Sequence, residues 1–317
     1  MGKLLLTGAT GFVGGAVYRR LLKEGVDARV AGRRSIQGAS SFVQVTGLDS
    51  KADWSSAVEG IDVVIHSAAR VHVMSDKAAD PLTEFRKVNV QGTLALARQA
   101  VEAGVKRFIF VSTIKVNGEG TELNSPYTAD DVPAPVDPYG ISKLEAEQGL
   151  LAFTAETGME VTIIRPVLVY GPGVKANFRS MMSWLNKRVP LPLGAICNKR
   201  SMVALDNLVD LIVTCIDHPA AANQVFLVSD GEDLSTTELL RRTAQALGKS
   251  ALLLPVPPFL LSAVAGLLGK PGIAQRLCGC LQVDIGKTKT LLNWAPPVSV
   301  DEALSKTARH FLEQQKI

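Results

Sequence analysis

Tyr139 and Lys143 stand four positions apart in Tyr139-Gly140-Ile141-Ser142-Lys143, directly after Asp137-Pro138. On a helix that spacing puts both side chains on one face. An ammonium beside a phenol favours the phenolate and lowers the phenol's pKa. Tyrosine then becomes a usable proton donor or acceptor near neutral pH. Such a pair is common by chance, and a second constellation gives it meaning. Leu4-Leu5-Leu6 runs into Thr7-Gly8-Ala9-Thr10-Gly11-Phe12-Val13-Gly14, and helical spacing follows from Val13 to Lys23. Gly8 permits a tight turn, Gly11 lets backbone approach a pyrophosphate, and Gly14 lets the helix pack close to the strand. The anion would sit on the helix N-terminus, where free N–H groups and the dipole favour negative charge. Thr10, Phe12 and Val13 complete the expected contacts of this loop. A third group ends the second strand: Ala31-Gly32-Arg33-Arg34-Ser35 has no acid where an NAD site would place one for the ribose hydroxyls. Two guanidinium groups suit a 2′-phosphate by charge and fork geometry, so NADP(H) is favoured over NAD(H).

These residues need elements to hold them. Short apolar runs recur at 4–6, 28–31, 42–45, 61–65, 108–111, 161–164 and 225–228, separated for the most part by helical spacing. Between them, Asn89 to Ala103 places Val90, Leu94, Ala97 and Val101 on one stripe. Continuous apolar strands imply a sheet covered on both faces, and strict alternation with helices implies a parallel, doubly wound α/β sheet. The alternation stops after Gly171. Residues 1–172 with about 205–229 are therefore expected to form a Rossmann-like dinucleotide domain. Residues 173–204 and 230–317 are expected to form a smaller, discontinuous lobe.

The chain has 317 residues, 47% hydrophobic and 20% charged, which is a globular composition and long enough for roughly two domains. Its net charge of +4, with no basic run, argues against a nucleic-acid partner. The four cysteines (Cys197, Cys215, Cys278, Cys280) do not make a disulfide scaffold, and Cys278-x-Cys280 lacks the second pair that a zinc site needs, so no metal is expected. Reduced thiols and the lack of a signal peptide fit a cytoplasmic protein. His66, His72, His218 and His310 are scattered and are assigned no metal or catalytic role. Phe259 to Leu268 is too short to span a membrane. It reads either as a buried or groove-lining helix, or as an apolar face that contacts a membrane or a membrane-bound partner such as a glycosyltransferase.

With the phosphate loop and the Tyr-x-x-x-Lys pair in place, the chain resembles the extended short-chain dehydrogenases/reductases of the NAD-dependent epimerase/dehydratase group over almost its whole length. The resemblance implies roles for further positions. Asp49 would contact adenine; His66, Ser67, Ala68 and Ala69, at the end of the fourth strand, would line the cofactor channel. Val88-Asn89-Val90-Gln91-Gly92-Thr93 matches the family's helix that carries a structural asparagine, and Asn89 is counted with the cofactor site. Pro166 and Val167, after Arg165, belong to the stretch that holds the nicotinamide amide. The third catalytic hydroxyl falls on Thr113, with Ser112 as second choice. Arg200 occupies the family's diphosphate-binding arginine, and Asn177 a position that contacts diphosphate or sugar. Leu193 belongs to a loop expected against uracil. Lys115 and Asn117 lie near the expected sugar pocket, either reading the sugar or shaping the loop. A homodimer formed through the helices of 89–103 and 139–157 is also implied.

Ile114-Lys115 stands where sugar-nucleotide 4,6-dehydratases of this group carry Asp-Glu, so dehydration is not expected. Segments 114–120, 190–196 and 230–233 are similar to the C4-ketoreductases of bacterial O-antigen and capsule synthesis. The expectation is therefore NADPH-dependent reduction of a UDP-4-keto-6-deoxy-N-acetylhexosamine to UDP-N-acetylquinovosamine or UDP-N-acetylfucosamine. The alternative is a UDP-hexose or UDP-N-acetylhexosamine 4-epimerase with tightly bound NAD.

Overall fold

A computed structural model describes residues 2–36, 38–71, 80–269 and 271–315; His72 lies outside them. The chain opens with β1 (Leu4–Thr7), the glycine turn and α1 (Phe12–Lys23), then β2 (Ala28–Gly32), β3 (Phe42–Gln44), α2 (Ser55–Val58) and β4 (Val63–His66). After α3 (Pro81–Phe85) and α4 (Thr93–Glu102) come β5 (Arg107–Val111), α5 (Pro138–Thr157) and β6 (Glu160–Pro166). All seven apolar runs read from the sequence are strands of one parallel sheet. Its order is β3-β2-β1-β4-β5-β6 and then the strand at Gln224–Val228, here β9. The expected doubly wound α/β fold is the fold observed.

The sheet is buried on both faces, as its unbroken apolar runs require. One face packs Leu4, Leu6, Val30, Ile65 and Ile109 against Val17 and Leu21 of α1, and against Leu208, Leu211 and Ile212. The other packs Leu5, Val64, Phe108, Phe110 and Ile163 against Leu96 and Ala100 of α4 and Ala146 and Leu150 of α5. Each such fully buried aliphatic or aromatic side chain contributes roughly 1.5–3 kcal/mol of transfer free energy. The chain runs outward from β1 to β3, then crosses back to lay β4 on the other side of β1. The carboxyl ends of β1 and β4 therefore diverge into a crevice, which is where a parallel sheet offers a ligand site.

The second half adds β7 (Leu168–Tyr170), α6 (Ala176–Asn186), β8 (Arg200–Ala204) and α7 (Leu205–Thr214), then β9, β10 (Asp233–Leu234), α8 (Thr236–Ala246) and α9 (Pro258–Leu267). The chain ends in α10 (Pro271–Cys278), α11 (Gly286–Leu292) and α12 (Val300–Gln314). Helix α7 packs on α1. A small sheet of order β10-β8-β7 was not read from the sequence, because its strands are short and separated by long intervals. Beside it α6, α8 and α12 enclose a third core around Tyr170, Phe178, Met182, Leu240, Leu304 and Phe311. Leu281, Val283, Ile285, Leu292 and Trp294 instead join the core of the large sheet.

Two local features depart from the sequence reading. The stripe expected as one helix over 89–103 begins as a π-helical segment, Arg86–Gly92, joined to α4. Helix α9 is not buried: none of its residues is, so the buried-helix reading of 259–268 does not hold. Among the described residues, no helix is long and apolar enough to cross a membrane.

Candidate active site

The glycine loop behaves as its spacing demands. Gly8 has φ +75°, and a Cβ there would stand 2.6 Å from the Ala68 amide nitrogen. A Cβ on Gly14 would meet the Gly8 carbonyl oxygen at 2.4 Å and Ser67 Oγ at 2.5 Å. Ser67 Oγ donates to the Thr7 carbonyl at 2.7 Å, which ties the loop after β4 to the end of β1. Helix α1 begins at Gly11 with no side-chain cap and no acid in its first turn. Its first amides therefore face the crevice with their positive ends open to an anion.

A cleft of about 470 Å³ follows from this geometry. Gly8, Thr10, Gly11, Phe12, Val13, Gly14, Arg33, Arg34, Ser67, Ala68, Ala69, Thr113, Tyr139, Pro166 and Val167 all line it. The tight glycine turn, the open helix N-terminus and the length of this lining fit a dinucleotide. Arg33 and Arg34 are exposed at the end of β2, and neither is ion-paired with a carboxylate among the described residues. Leu48, Ser112 and the strand-end side chains Val30, Val111 and Val169 also line the cleft and were not singled out as site residues, Ser112 excepted as second choice for the hydroxyl. Their apolar character gave no signal apart from core.

Helix α5 starts where Asp137 caps it: the Asp137 carboxylate accepts from the Gly140 amide at 2.6 Å, and Pro138 occupies the first turn. This fixes Tyr139 at the cleft wall, its ring edge-on to Phe85 with centroids 5.9 Å apart. Lys143, one turn on, is 1% exposed. Its Nζ donates to the Val111 carbonyl at 2.7 Å and lies 3.8 Å above the Phe110 ring. Burial pushes this ammonium down to about 7, with Glu147 opposing. The Tyr139 phenol is pushed up to about 12 by desolvation and then by Asp137. The expected lowering of the phenol is therefore not what this structure shows, because burial disfavours the phenolate and Asp137 adds to the effect. Thr113 ends β5 in extended conformation, and its Oγ1 accepts from the Lys115 amide at 3.4 Å. Ser112 is turned inward and donates to Glu147, which leaves Thr113 as the hydroxyl free to face a ligand.

Beneath the cleft is an ion pair that sequence reasoning missed. Arg165 Nη2 and Glu147 Oε2 are 2.6 Å apart, with both side chains almost fully buried. Glu147 stands one turn beyond Lys143, and that spacing was the available signal. Arg165 Nη1 also donates to Asn117 Oδ1 at 3.0 Å, and Asn117 Nδ2 donates to the Thr128 carbonyl at 3.1 Å. Asn117 is 1% exposed and both ends of its amide are taken, so it shapes the loop and does not read a ligand.

Other expected residues lie off the cleft. Asn89 is buried; its amide accepts from the Arg70 N–H at 2.8 Å and donates to the Arg70 carbonyl and Ser142 Oγ, both at 3.0 Å. It splices the loop after β4 to α5 and does not line the cleft. Asp49 Oδ1 accepts from the Lys51 amide at 2.9 Å, while its neighbour Leu48 lines the cleft. Lys115 Nζ pairs with Glu119 at 2.8 Å and with Asp137. Asn177 is exposed on α6, and Leu193 gives its carbonyl to Thr237 Oγ1 at 2.7 Å. Arg200 Nη1 donates to the Gly279 carbonyl at 3.1 Å, and burial lowers its pKa, with Cys280 opposing. His66, expected along the cofactor channel, is not in its lining but is a satisfied core histidine: it bonds Thr7 Oγ1 at 2.7 Å and Thr93 Oγ1 at 3.0 Å, and burial followed by Lys143 pushes its pKa down to about 3.

The sequence matches the model of the NAD dependent epimerase/dehydratase family over residues 4–229. The chain belongs to that family. A relative described as UDP-glucose 4-epimerase, from Vibrio cholerae, is 51% identical over 98% of this family member and 95% of the relative. Among solved structures, a UDP-glucose 4-epimerase from Thermotoga maritima crystallised with UDP-glucose superposes with a TM-score of 0.78 at 23% identity, covering 99% of each chain. A UDP-glucuronic acid 4-epimerase from Bacillus cereus in complex with NAD gives 0.78 at 21% identity, covering 98% of this chain and 99% of the other. At these identities the two structures speak for the fold. None of the three supports the NADP(H) preference expected from Arg33-Arg34.

Proposed function

We propose that this protein is a 4-epimerase of a UDP-hexose or UDP-N-acetylhexosamine that works with bound NAD. The carrying observation is the 51% identity with the Vibrio cholerae UDP-glucose 4-epimerase, which runs through both halves of the chain. The cleft from the glycine loop to Pro166 and Val167 would hold NAD, which when bound would supply the hydride acceptor and donor for C4. Tyr139 takes the proton of the O4 hydroxyl as the C4 ketone forms and gives it back as the alcohol is restored. Thr113 orients that oxygen, and Lys143, in its protonated form, would favour the charged form of Tyr139. The third core, with Arg200 and Leu193 at its edge, forms the lobe for the UDP moiety.

The test is conversion without added cofactor. Purified protein is incubated with UDP-glucose and, separately, UDP-N-acetylglucosamine, and products are followed by NMR. The C4-inverted sugar nucleotide is expected, and NAD should be released on denaturation. A second reading is favoured by Arg33 and Arg34 lining the cleft with no acid beside them. It is NADPH-dependent reduction of a UDP-4-keto-6-deoxy-N-acetylhexosamine. Oxidation of NADPH by that ketone, with no inversion of UDP-hexoses, would replace the first reading by the second.

A further inference from the structure

Helix α9 meets the rest of the chain through a thin stripe. Leu261 and Ala265, four apart, are half-buried; every other residue from Phe259 to Leu268 is exposed. Phe259 is 69% exposed, Leu267 89% and Leu268 69%, with Leu260 and Val264 beside them. The one hydroxyl on this helix, Ser262, donates back to the Pro258 carbonyl at 3.0 Å, so it adds no unmet polar group to the face. Isolated exposed apolar residues need no explanation, but a contiguous set on one helix marks a contact surface.

The face continues beyond α9. Segment 252–254 leads into it and is hydrogen-bonded to the chain after α6: the Leu191 amide donates to the Leu252 carbonyl at 2.9 Å, and the Leu254 amide to the Leu191 carbonyl at 2.8 Å. Exposed Leu252 and Leu254 thus lead into the helix, beside the stretch in which the exposed Val189 donates back to the carbonyl of exposed Trp184, and α10, which carries exposed Ile273, packs on α9. The charges on these segments are of one sign. Lys187, Arg188, Lys249 and Arg276 are exposed, and no aspartate or glutamate occurs between Glu238 and Asp284. A twofold copy of the same surface would bring these cations together without partners. An anionic bilayer would not: apolar side chains enter the acyl boundary, tryptophan suits the interface, and lysine and arginine meet lipid phosphates.

We propose that α9 with its flanking segments is a peripheral docking surface for an anionic lipid bilayer, laying the 191–194 edge of the third core against the membrane. The proposal stands apart from the reaction assigned above, and its test needs no turnover. The full chain is sedimented with vesicles of phosphatidylcholine, or of phosphatidylcholine mixed with phosphatidylglycerol. Binding is expected to the anionic vesicles, weakening as salt is raised. The double variant F259E/L267E should lose at least about tenfold in vesicle affinity. R276E/K249E should lose at least about 25-fold on anionic vesicles, at roughly fivefold per cation removed. These side chains are exposed, so unchanged melting temperatures are expected and would show that the fold is intact. Failure to sediment with anionic vesicles, or equal sedimentation of wild type and F259E/L267E, overturns the proposal. So does a wild-type oligomer that dissociates in F259E/L267E with no lipid binding, since the face would then belong to a second copy.

Discussion

At the residue scale, Tyr139 and Lys143 carry opposite displacements from the same cause. Burial penalises whichever form is charged, so the phenol rises to about 12 and the ammonium falls to about 7. Tyr139→Phe leaves the phosphate loop untouched. It should retain dinucleotide binding, read by nicotinamide fluorescence, while turnover falls by about 10²–10⁴. Lys143 has a stability signature as well. Below about pH 7 native and unfolded chains both hold its proton, and the burial cost is borne in full. Between about 7 and its ordinary 10.5 the unfolded chain holds a proton that the native chain has released, so stability from this group rises with pH. Lys143→Met should therefore melt above the wild type at about pH 6, with the gap narrowing toward about pH 10. A gap that widens with pH would contradict the displaced ammonium.

At the element scale, the site depends on how α5 is tied to its neighbours. Asn89 reaches from the π-helical segment to Arg70 and to Ser142 of α5. Asn89→Ala removes this splice and leaves buried groups without that partner, at a cost of about 1–3 kcal/mol. A lower urea midpoint with unchanged slope is expected, together with weaker dinucleotide binding, because the 67–70 loop walls the cleft. The motif around Asn89 was legible in the sequence, but its direction was not. Nothing in Val-Asn-Val-Gln-Gly-Thr says whether the amide faces a ligand or a neighbouring loop. The same holds for Asn117, whose two ends are fixed by Arg165 and Thr128, residues distant in the chain.

At the scale of the whole molecule, the large sheet and the third core meet at Asp230, just after β9. One carboxylate oxygen accepts from the Tyr170 hydroxyl at 2.8 Å; the other accepts from the Ala204 amide and Asn207 Nδ2, both at 2.7 Å. Asn207 in turn bonds Val298 in both directions, at 2.8 and 2.9 Å. Asp230→Ala leaves three buried donors without this acceptor and should destabilise by about 2–3 kcal/mol. Calorimetry should show a lower melting temperature. An unchanged one would mean that the two cores are held together elsewhere.

The amino-acid sequence by itself determined the parallel sheet, the phosphate loop and the Tyr139–Lys143 helix. Each is specified by local rules: apolar runs for strands buried on both faces, glycines where a Cβ would collide, and a capped helix with a four-residue spacing. Tertiary structure decided which of the polar residues face the cleft. Arg33, Arg34 and Thr113 do, whereas Asn89 and Asn117 are consumed by neighbours. It also decided that α9 lies outside the core. A run of leucines looks the same whether a neighbour covers it or not, because burial belongs to the pair of surfaces and only one of them is written in the run.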